Sequence, residues 1–231
     1  MGREVSLLMF VDGENFALMP PVRDHKRIGE GDTGPNTGGM GTITDSSILS
    51  AEQTETIVNT IVRPTLHGCI RDDIPFRGIL FIGLMMTAAG PKVLEYNVRF
   101  GDPETQAIIV RLNSDITEIC EAMLTGQLNE LNISWHPGAS ACVVLASEGY
   151  PTKPRIGDKI VGLEEASSRE STVVFHAGTS FDDERNYITA GGRVLGVTAA
   201  GSDLTDALNS AYSVVSKINW PGMQYRRDIG K

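Results

Sequence analysis

The sequence predicts an α+β chain built as two units. Three observations carry this expectation. Short β-type runs joined by glycine turns alternate with stretches whose apolar residues recur at helical spacing. A polar, Asn-containing stretch at 127–138, ending in Pro137-Gly138, interrupts that pattern. Beyond it lie further short β-rich runs and one amphipathic helix. The spacing therefore places one unit over 1–130 and a smaller one over 137–231.

In chain order, Glu4 to Val11 and Asn15 to Met19 flank Asp12-Gly13, a strong hairpin-turn signal. A long glycine-rich loop is expected over residues 20–45. Ser50 is placed to cap a helix running to about Gly68, with Ile57, Val58, Ile61, Val62 and Leu66 on its apolar face and a kink at Pro64. Gly78 to Met86 and Lys92 to Arg99 read as strands around the turn Ala89-Gly90-Pro91. Asp102 and Pro103 stand at a helix start, with Asp102 as the cap. Another helix begins near Ser114 and stops at Gly126. Downstream, Ala141 to Ala146, Lys159 to Leu163, Thr172 to His176 and Arg193 to Thr198 read as strands. Asp203 caps a last helix with Leu204, Ala207, Leu208, Ala211, Val214, Val215 and Ile218 on one face.

The 231 residues include 41% hydrophobic and 21% charged residues, the balance of an ordinary folded chain. The net charge of −9 repels phosphate backbones and argues against a nucleic-acid partner. No apolar run approaches the length of a membrane span, so no membrane partner is expected. Three dispersed cysteines without a CxxC point to reduced thiols and a cytoplasmic location. Gly29 to Gly34 fits GxGxxG, but prolines and charges precede it and Pro35 follows. The strand and helix that make this motif hold a pyrophosphate are missing.

Three constellations carry chemistry. In Val93-Leu94-Glu95-Tyr96-Asn97-Val98-Arg99, strand alternation puts Glu95, Asn97 and Arg99 on one face and Leu94, Tyr96 and Val98 toward the core. A carboxylate beside an amide oxygen suits a hard divalent cation, and a guanidinium suits a carboxylate or phosphate. A merely solvated sheet face explains the same alternation. At Arg99 to Glu104 a strand end turns into a helix start, where Asp102 either caps the helix or meets a substrate amine. Finally, Asp24-His25-Lys26-Arg27 leads into a loop with six glycines over residues 29–41, which lets backbone N–H groups approach an anion closely. The four histidines lack metal-ligand spacing, and neither GxSxG nor HExxH occurs.

These stretches together resemble the phosphoribosylamine–glycine ligase (glycinamide ribonucleotide synthetase) family of ATP-grasp enzymes. The resemblance rests on Gly2 to Ser6, Arg23 to Arg27, Gly31 to Gly41 and Leu94 to Gln106. It continues through Ala146 to Pro151, Phe175 to Thr179, Gly191 to Leu195 and Tyr225 to Gly230, in the family's order. It implies the C-terminal part of an ATP-grasp domain, an antiparallel sheet with helices, followed by a small mixed β/α domain. It also implies ATP-dependent ligation of glycine to 5-phosphoribosylamine through glycyl phosphate, in purine biosynthesis. ATP and Mg²⁺, or Mn²⁺, are the implied cofactors.

By resemblance, Glu95 and Asn97 hold the metal and Glu4 meets the nucleotide ribose. Arg99 and Asp102 orient glycine or its acyl phosphate. His25, Lys26, Arg27, Asn36, Thr37, Gly38 and Gly39 line the phosphoribosylamine side. The family is longer than this chain, which resembles its C-terminal half. An N-terminal half is thus an expected partner, and the chain alone is expected to be inactive or nearly so. The rival readings are another ATP-grasp carboxylate–amine ligase with a different acceptor, against which the Asp24 to Gly41 stretch argues, and a non-catalytic module that retains the fold.

Overall fold

The computed structural model describes residues 2–166 and 172–231. Its strands in chain order are β1 (Arg3–Asp12), β2 (Phe16–Leu18), β3 (Val22–Asp24), β4 (Arg27–Gly29), β5 (Thr33–Asn36), β6 (Gly41–Thr44), β7 (Arg77–Thr87), β8 (Gly90–Asn97), β9 (Ala139–Ala146), β10 (Thr172–His176), β11 (Thr179–Phe181), β12 (Tyr187–Thr189) and β13 (Arg193–Gly201). The α-helices are α1 (Ala51–Ile57), α2 (Arg63–Arg71), α3 (Glu104–Ile109), α4 (Ile116–Thr125), α5 (Leu163–Ala166) and α6 (Leu204–Val215). The chain is α+β, and every ladder described below is antiparallel.

Two compact units are interleaved along the chain. The first comprises residues up to Arg23, Asp45–Gly101 and Arg111–Pro137. The second comprises Asp24–Thr44, Asp102–Val110 and the chain from Gly138 onward. Two segments, Asp24–Thr44 and Asp102–Val110, thus fold with the unit that continues from Gly138 rather than with their sequence neighbours.

In the first unit β1 is the central strand. It pairs with β7 over its whole length and with β2 across the Asp12-Gly13 turn, where Met9 opposes Leu18. Both faces of β1 are covered, so Val5, Leu7, Leu8, Met9, Phe10 and Val11 are all buried. β8 pairs with β7 and forms the outer edge. Ser50 caps α1 in a reciprocal box with Gln53. The expected kink takes a particular form: a π-helical turn, Val58–Val62, separates α1 from α2, and Pro64 lies in the first turn of α2. Proline there needs no N–H, and the wider turn accommodates its ring. Asp115, one residue later than Ser114, caps α4, and Gly126 closes it in the left-handed conformation.

In the second unit the strand order is β10-β13-β9-β6. β9 is buried from end to end. α6 packs on β13 and β9, as its apolar face requires, burying Ala207, Ala211, Val214 and Val215. The Asp203 side chain accepts the Asp206 N–H as its cap. α3 packs against β6, β9 and β13, and its Ala107 joins Cys142 and Val144 in a buried cluster. Burial pushes the Cys142 thiol up to about 12, which leaves it inert.

Three expectations are corrected. The glycine-rich stretch 20–45 is not a loop but contains β3 to β6, strands of three or four residues without apolar alternation. Lys159 to Leu163 makes only isolated bridges, Lys159 with Ile188 and Val161 with Asn219. Asp102 does not cap α3, whose N-cap is Pro103 without a side-chain bond.

The hairpin turn of the first unit rests on Asp12, a buried carboxylate. Its Oδ1 accepts the Asn15 N–H at 2.8 Å, and its Oδ2 accepts the Leu128 N–H at 3.1 Å. Burial raises its pKa, but bonds from Asn15, Leu128 and Glu14 offset this and leave it below the ordinary carboxylate range. Asp12→Ala strands these donors and should cost about 2 kcal/mol in urea unfolding at pH 7. Because the folded pKa is depressed, the wild-type advantage should fade as pH falls below about 4.

Candidate functional site

In the first unit, Glu95 is placed by the register of three strands. Ser6 opposes Gly83, and Gly83 opposes Glu95. One step along, Leu8, Phe81 and Asn97 are aligned in the same way; in the other direction, Glu4, Met85 and Lys92 are. Opposed residues share a face, and so do residues two apart. Glu4, Ser6, Glu95 and Asn97 therefore lie on one face of the sheet. A bulge at Leu94 sets this phase, because Val93 opposes Leu84 while Glu95 opposes Gly83. Gly83 provides the space: a Cβ there would lie 3.0 Å from Glu95 Cγ. Glu95 is exposed and Asn97 half-buried.

The neighbours of Glu95 depart from expectation. Leu94, Tyr96 and Val98 are 52%, 47% and 70% exposed rather than buried in a core. β8 is an edge strand, and Leu94 is the extra residue of the bulge. The Tyr96 hydroxyl bonds to Thr65 Oγ1 at 2.8 Å. Arg99 lies beyond the strand end, so it is not in line with Glu95 and Asn97. Its Nη1 donates to the Phe100 carbonyl.

Glu95 and Asn97 offer a carboxylate and an amide oxygen on one open face. That donor set fits a magnesium-sized cation, which takes few protein oxygens and keeps waters and phosphates as its other ligands. Among the described residues there is no cluster of three or more His, Cys, Asp and Glu side chains arranged for a metal.

In the second unit, the segment Asp24–Gly41 carries the other expected residues. Thr37 folds it back on itself: its N–H and Oγ1 both donate to the Lys26 carbonyl, and its Oγ1 accepts the Gly39 N–H. Gly38 is held from two sides. Its N–H donates to Tyr150 Oη at 3.0 Å, and its carbonyl accepts from Arg193 Nη1. Arg193 also donates to the Asp102 carbonyl at 2.7 Å and pairs with the Asp102 carboxylate at 3.0 Å. Asp102 further accepts from Gln106 Nε2. Gly38, Asp102 and Arg193 thus form one connected group.

His25 is buried, with both ring nitrogens engaged. Nδ1 donates to the Gly41 carbonyl, so Nε2 accepts the Gly230 N–H, each at 3.1 Å. Arg27 and Asn36 are exposed, and Arg27 Nη1 donates to the Gly34 carbonyl. Asp24 has a side chain only 4% exposed, and its Oδ2 accepts from Lys26 Nζ at 2.9 Å. Its Oδ1 has no hydrogen-bond partner. Gly39, at φ +114°, lies so close that a Cβ would sit 2.7 Å from that oxygen. Burial, reinforced by the Glu104 charge, pushes the Asp24 carboxyl up to about 7.

Sequence reasoning missed Arg193, Tyr150 and the role of Gly83. Gly191-Gly192-Arg193 at a strand start was the available signal for the arginine. Tyr150 lies in the Ala146 to Pro151 stretch of the resemblance, but nothing there points to its partner Gly38, far away in the chain.

Residues 1–105 match the family described as Phosphoribosylglycinamide synthetase, ATP-grasp (A) domain, and residues 140–231 match its C domain. The phosphoribosylamine–glycine ligase of Vigna unguiculata is 46% identical over 96% of this chain and 72% of its own length. That of Rhodopirellula baltica is 46% identical over 99% of this chain and 52% of its own length. The crystal structure of the Thermotoga maritima ligase superposes with a TM-score of 0.87 at 35% identity, over 99% of this chain and 56% of that one. A biotin carboxylase domain from Hydrogenobacter thermophilus shares the fold at a TM-score of 0.68 and 14% identity. The chain therefore spans 72% of the Vigna ligase and about half of the Rhodopirellula and Thermotoga ones.

Asp24 gives a stability test. Its folded pKa is raised, so stability should fall as pH rises from about 4 to about 7 and level off above. Asp24→Asn should flatten that slope in thermal unfolding at several pH values; an unchanged slope would show the carboxyl is not the cause. By its two domain matches and its identity with the Vigna ligase, the chain belongs to the phosphoribosylamine–glycine ligase family.

Proposed function

We propose that this chain carries the cation-binding and acceptor-binding parts of a phosphoribosylamine–glycine ligase. In the reaction, a glycine carboxylate oxygen attacks the γ-phosphorus of ATP, giving glycyl phosphate and ADP. The amine of 5-phosphoribosylamine then attacks the glycyl carbonyl, loses a proton and expels phosphate, giving glycinamide ribonucleotide. Such chemistry needs alignment and charge neutralisation rather than a protein nucleophile. The observation that carries the reading is the shared face of Glu4, Glu95 and Asn97, set by the β1–β7–β8 register.

Glu95 and Asn97 hold the divalent cation, Mg²⁺ or Mn²⁺, through one carboxylate and one amide oxygen. When bound, that cation neutralises the ATP phosphates. Glu4, two steps from Ser6 on the same face, meets the nucleotide ribose. Asp102, fixed by Arg193, and Arg99 are the residues assigned to orient glycine or its acyl phosphate. Lys26, Arg27, Asn36, Thr37, Gly38 and Gly39 line the phosphoribosylamine side, with His25 shaping the segment from below through its two backbone bonds.

The second reading, a fold-bearing module without activity of its own, is favoured by the open apolar side chains of β8 and by the chain's span of about half its relatives. ADP release separates the two. The chain would be assayed with Mg·ATP, glycine and fresh phosphoribosylamine, alone and with the separately produced upstream half of the Thermotoga maritima ligase. Release that requires all three substrates, and that drops roughly 100-fold in Glu95→Gln, is the expected result with the added half. Silence in both mixtures would favour the module.

A further inference from the structure

The end of the chain makes a dense set of contacts that the proposed chemistry leaves unexplained. Arg226 is a fully buried arginine, 2% exposed. Its Nε and Nη2 donate to the two carboxylate oxygens of Asp228, each at 2.7 Å. Its Nη1 donates to Asp32 Oδ1 at 2.7 Å and to the Arg27 carbonyl at 3.2 Å. Asp228 passes the contact on, because its Oδ2 also accepts the Gly31 N–H at 2.8 Å. The Arg227 N–H donates to Glu30 Oε1, and the Gly230 N–H donates to His25 Nε2. Ile229 packs where a side chain at Gly41 would stand, 2.8 Å from a Cβ built there. Tyr212 of α6 fixes the other side: its hydroxyl donates to the Arg226 carbonyl and accepts the Ile229 N–H.

The contacts fall at His25, Arg27, Glu30, Gly31, Asp32 and Gly41, spaced along a single segment. β4 and β5 of that segment form only a two-stranded ribbon, which is marginal by itself. A buried guanidinium is costly unless its donors are met, and here Asp228 and Asp32 compensate it. Removing it leaves Asp228 without its cation and takes from the ribbon its bonds at Arg27 and Asp32, leaving the Gly31 and Glu30 bonds to hold it.

We propose that Tyr225–Gly230 is a strap, centred on the positioning residue Arg226, that holds the Asp24–Gly41 segment in the geometry needed to take a phosphorylated ribose. The inference rests on the acceptor role proposed for that segment. Arg226 does not touch the ligand. It acts through the Arg27 carbonyl and the Gly31–Asp32 turn, so it sets where Lys26 and Arg27 start.

Amide hydrogen exchange and ligand titration on the purified chain test this together, with ribose 5-phosphate as the probe. In Arg226→Met, protection of the Gly31, Thr37 and Met40 amides should fall at least about tenfold, while the amides of β9 and β13 keep theirs. Ribose 5-phosphate affinity should fall about tenfold, with Mg·ADP affinity held within about twofold. Arg226→Lys, which keeps the charge but not the fork, should lie between. Should Arg226→Met not fold, Asp32→Ala removes one exposed anchor and should give the same pattern at smaller size. Unchanged protection over 24–41, or lost protection with unchanged ribose 5-phosphate affinity, overturns the strap. A wild-type chain that binds no ribose 5-phosphate overturns the acceptor reading instead, and the exchange result alone then decides the strap.

Discussion

The pairing of β1 with β7, unbroken from Arg3–Met86 to Asp12–Arg77, decides which way the chemistry of the first unit faces. In a sheet, a slip of one residue turns every side chain to the opposite face. The apolar run of β1, buried on both sides, does not fix that phase by hydrophobicity, since either face would accept it. The Asp12 turn does, through its bonds to Asn15 and Leu128. The phase then passes to β8 across Gly83, where the bulge at Leu94 leaves Glu95 and Asn97 beside Ser6 and Glu4 rather than across from them. A small residue at 83 is a condition of this arrangement, because the Glu95 stem occupies the place of its side chain.

The second unit solves a different problem. The Asp24–Gly41 segment has too few apolar residues to bury itself, so it is held by polar anchors from distant parts of the chain. Tyr150 and Arg193 take the two ends of Gly38, and Arg226 takes the Gly31–Asp32 turn. The cost is an Asp24 carboxyl packed beneath Gly39 with one oxygen lacking a partner, and this is why its pKa rises. Polar anchoring also keeps glycine backbone, rather than side chains, at the surface of the segment, which suits the close approach of an anion.

Much of the fold could be read in the sequence where local physics decides it. The Asp12-Gly13 turn, the Ser50 and Asp203 caps and the apolar face of α6 all appear as read. Glu95 and Asn97 do share a face, as alternation requires. The misreadings have non-local causes. Burial of Leu94, Tyr96 and Val98 was expected from alternation, yet an edge strand has no neighbour to supply it. Asp102 had the sequence of a helix cap, but Arg193, far along the chain, takes its carboxylate. The strands within 20–45 are too short and too rich in glycine to show a period. Their register comes from partners that no local window contains.

The most direct measurement is a titration of Mn²⁺ into the chain in the presence of ADP, followed by electron paramagnetic resonance. Glu95→Gln and Asn97→Ala should each weaken binding at least about tenfold, with thermal stability held close to wild type. Glu95→Gln keeps the stem that lies over Gly83, and Asn97 is only half-buried, so neither change removes a core contact. Equal Mn²⁺ affinity in the wild type and both variants would contradict the assignment of these two residues as the cation-holding pair.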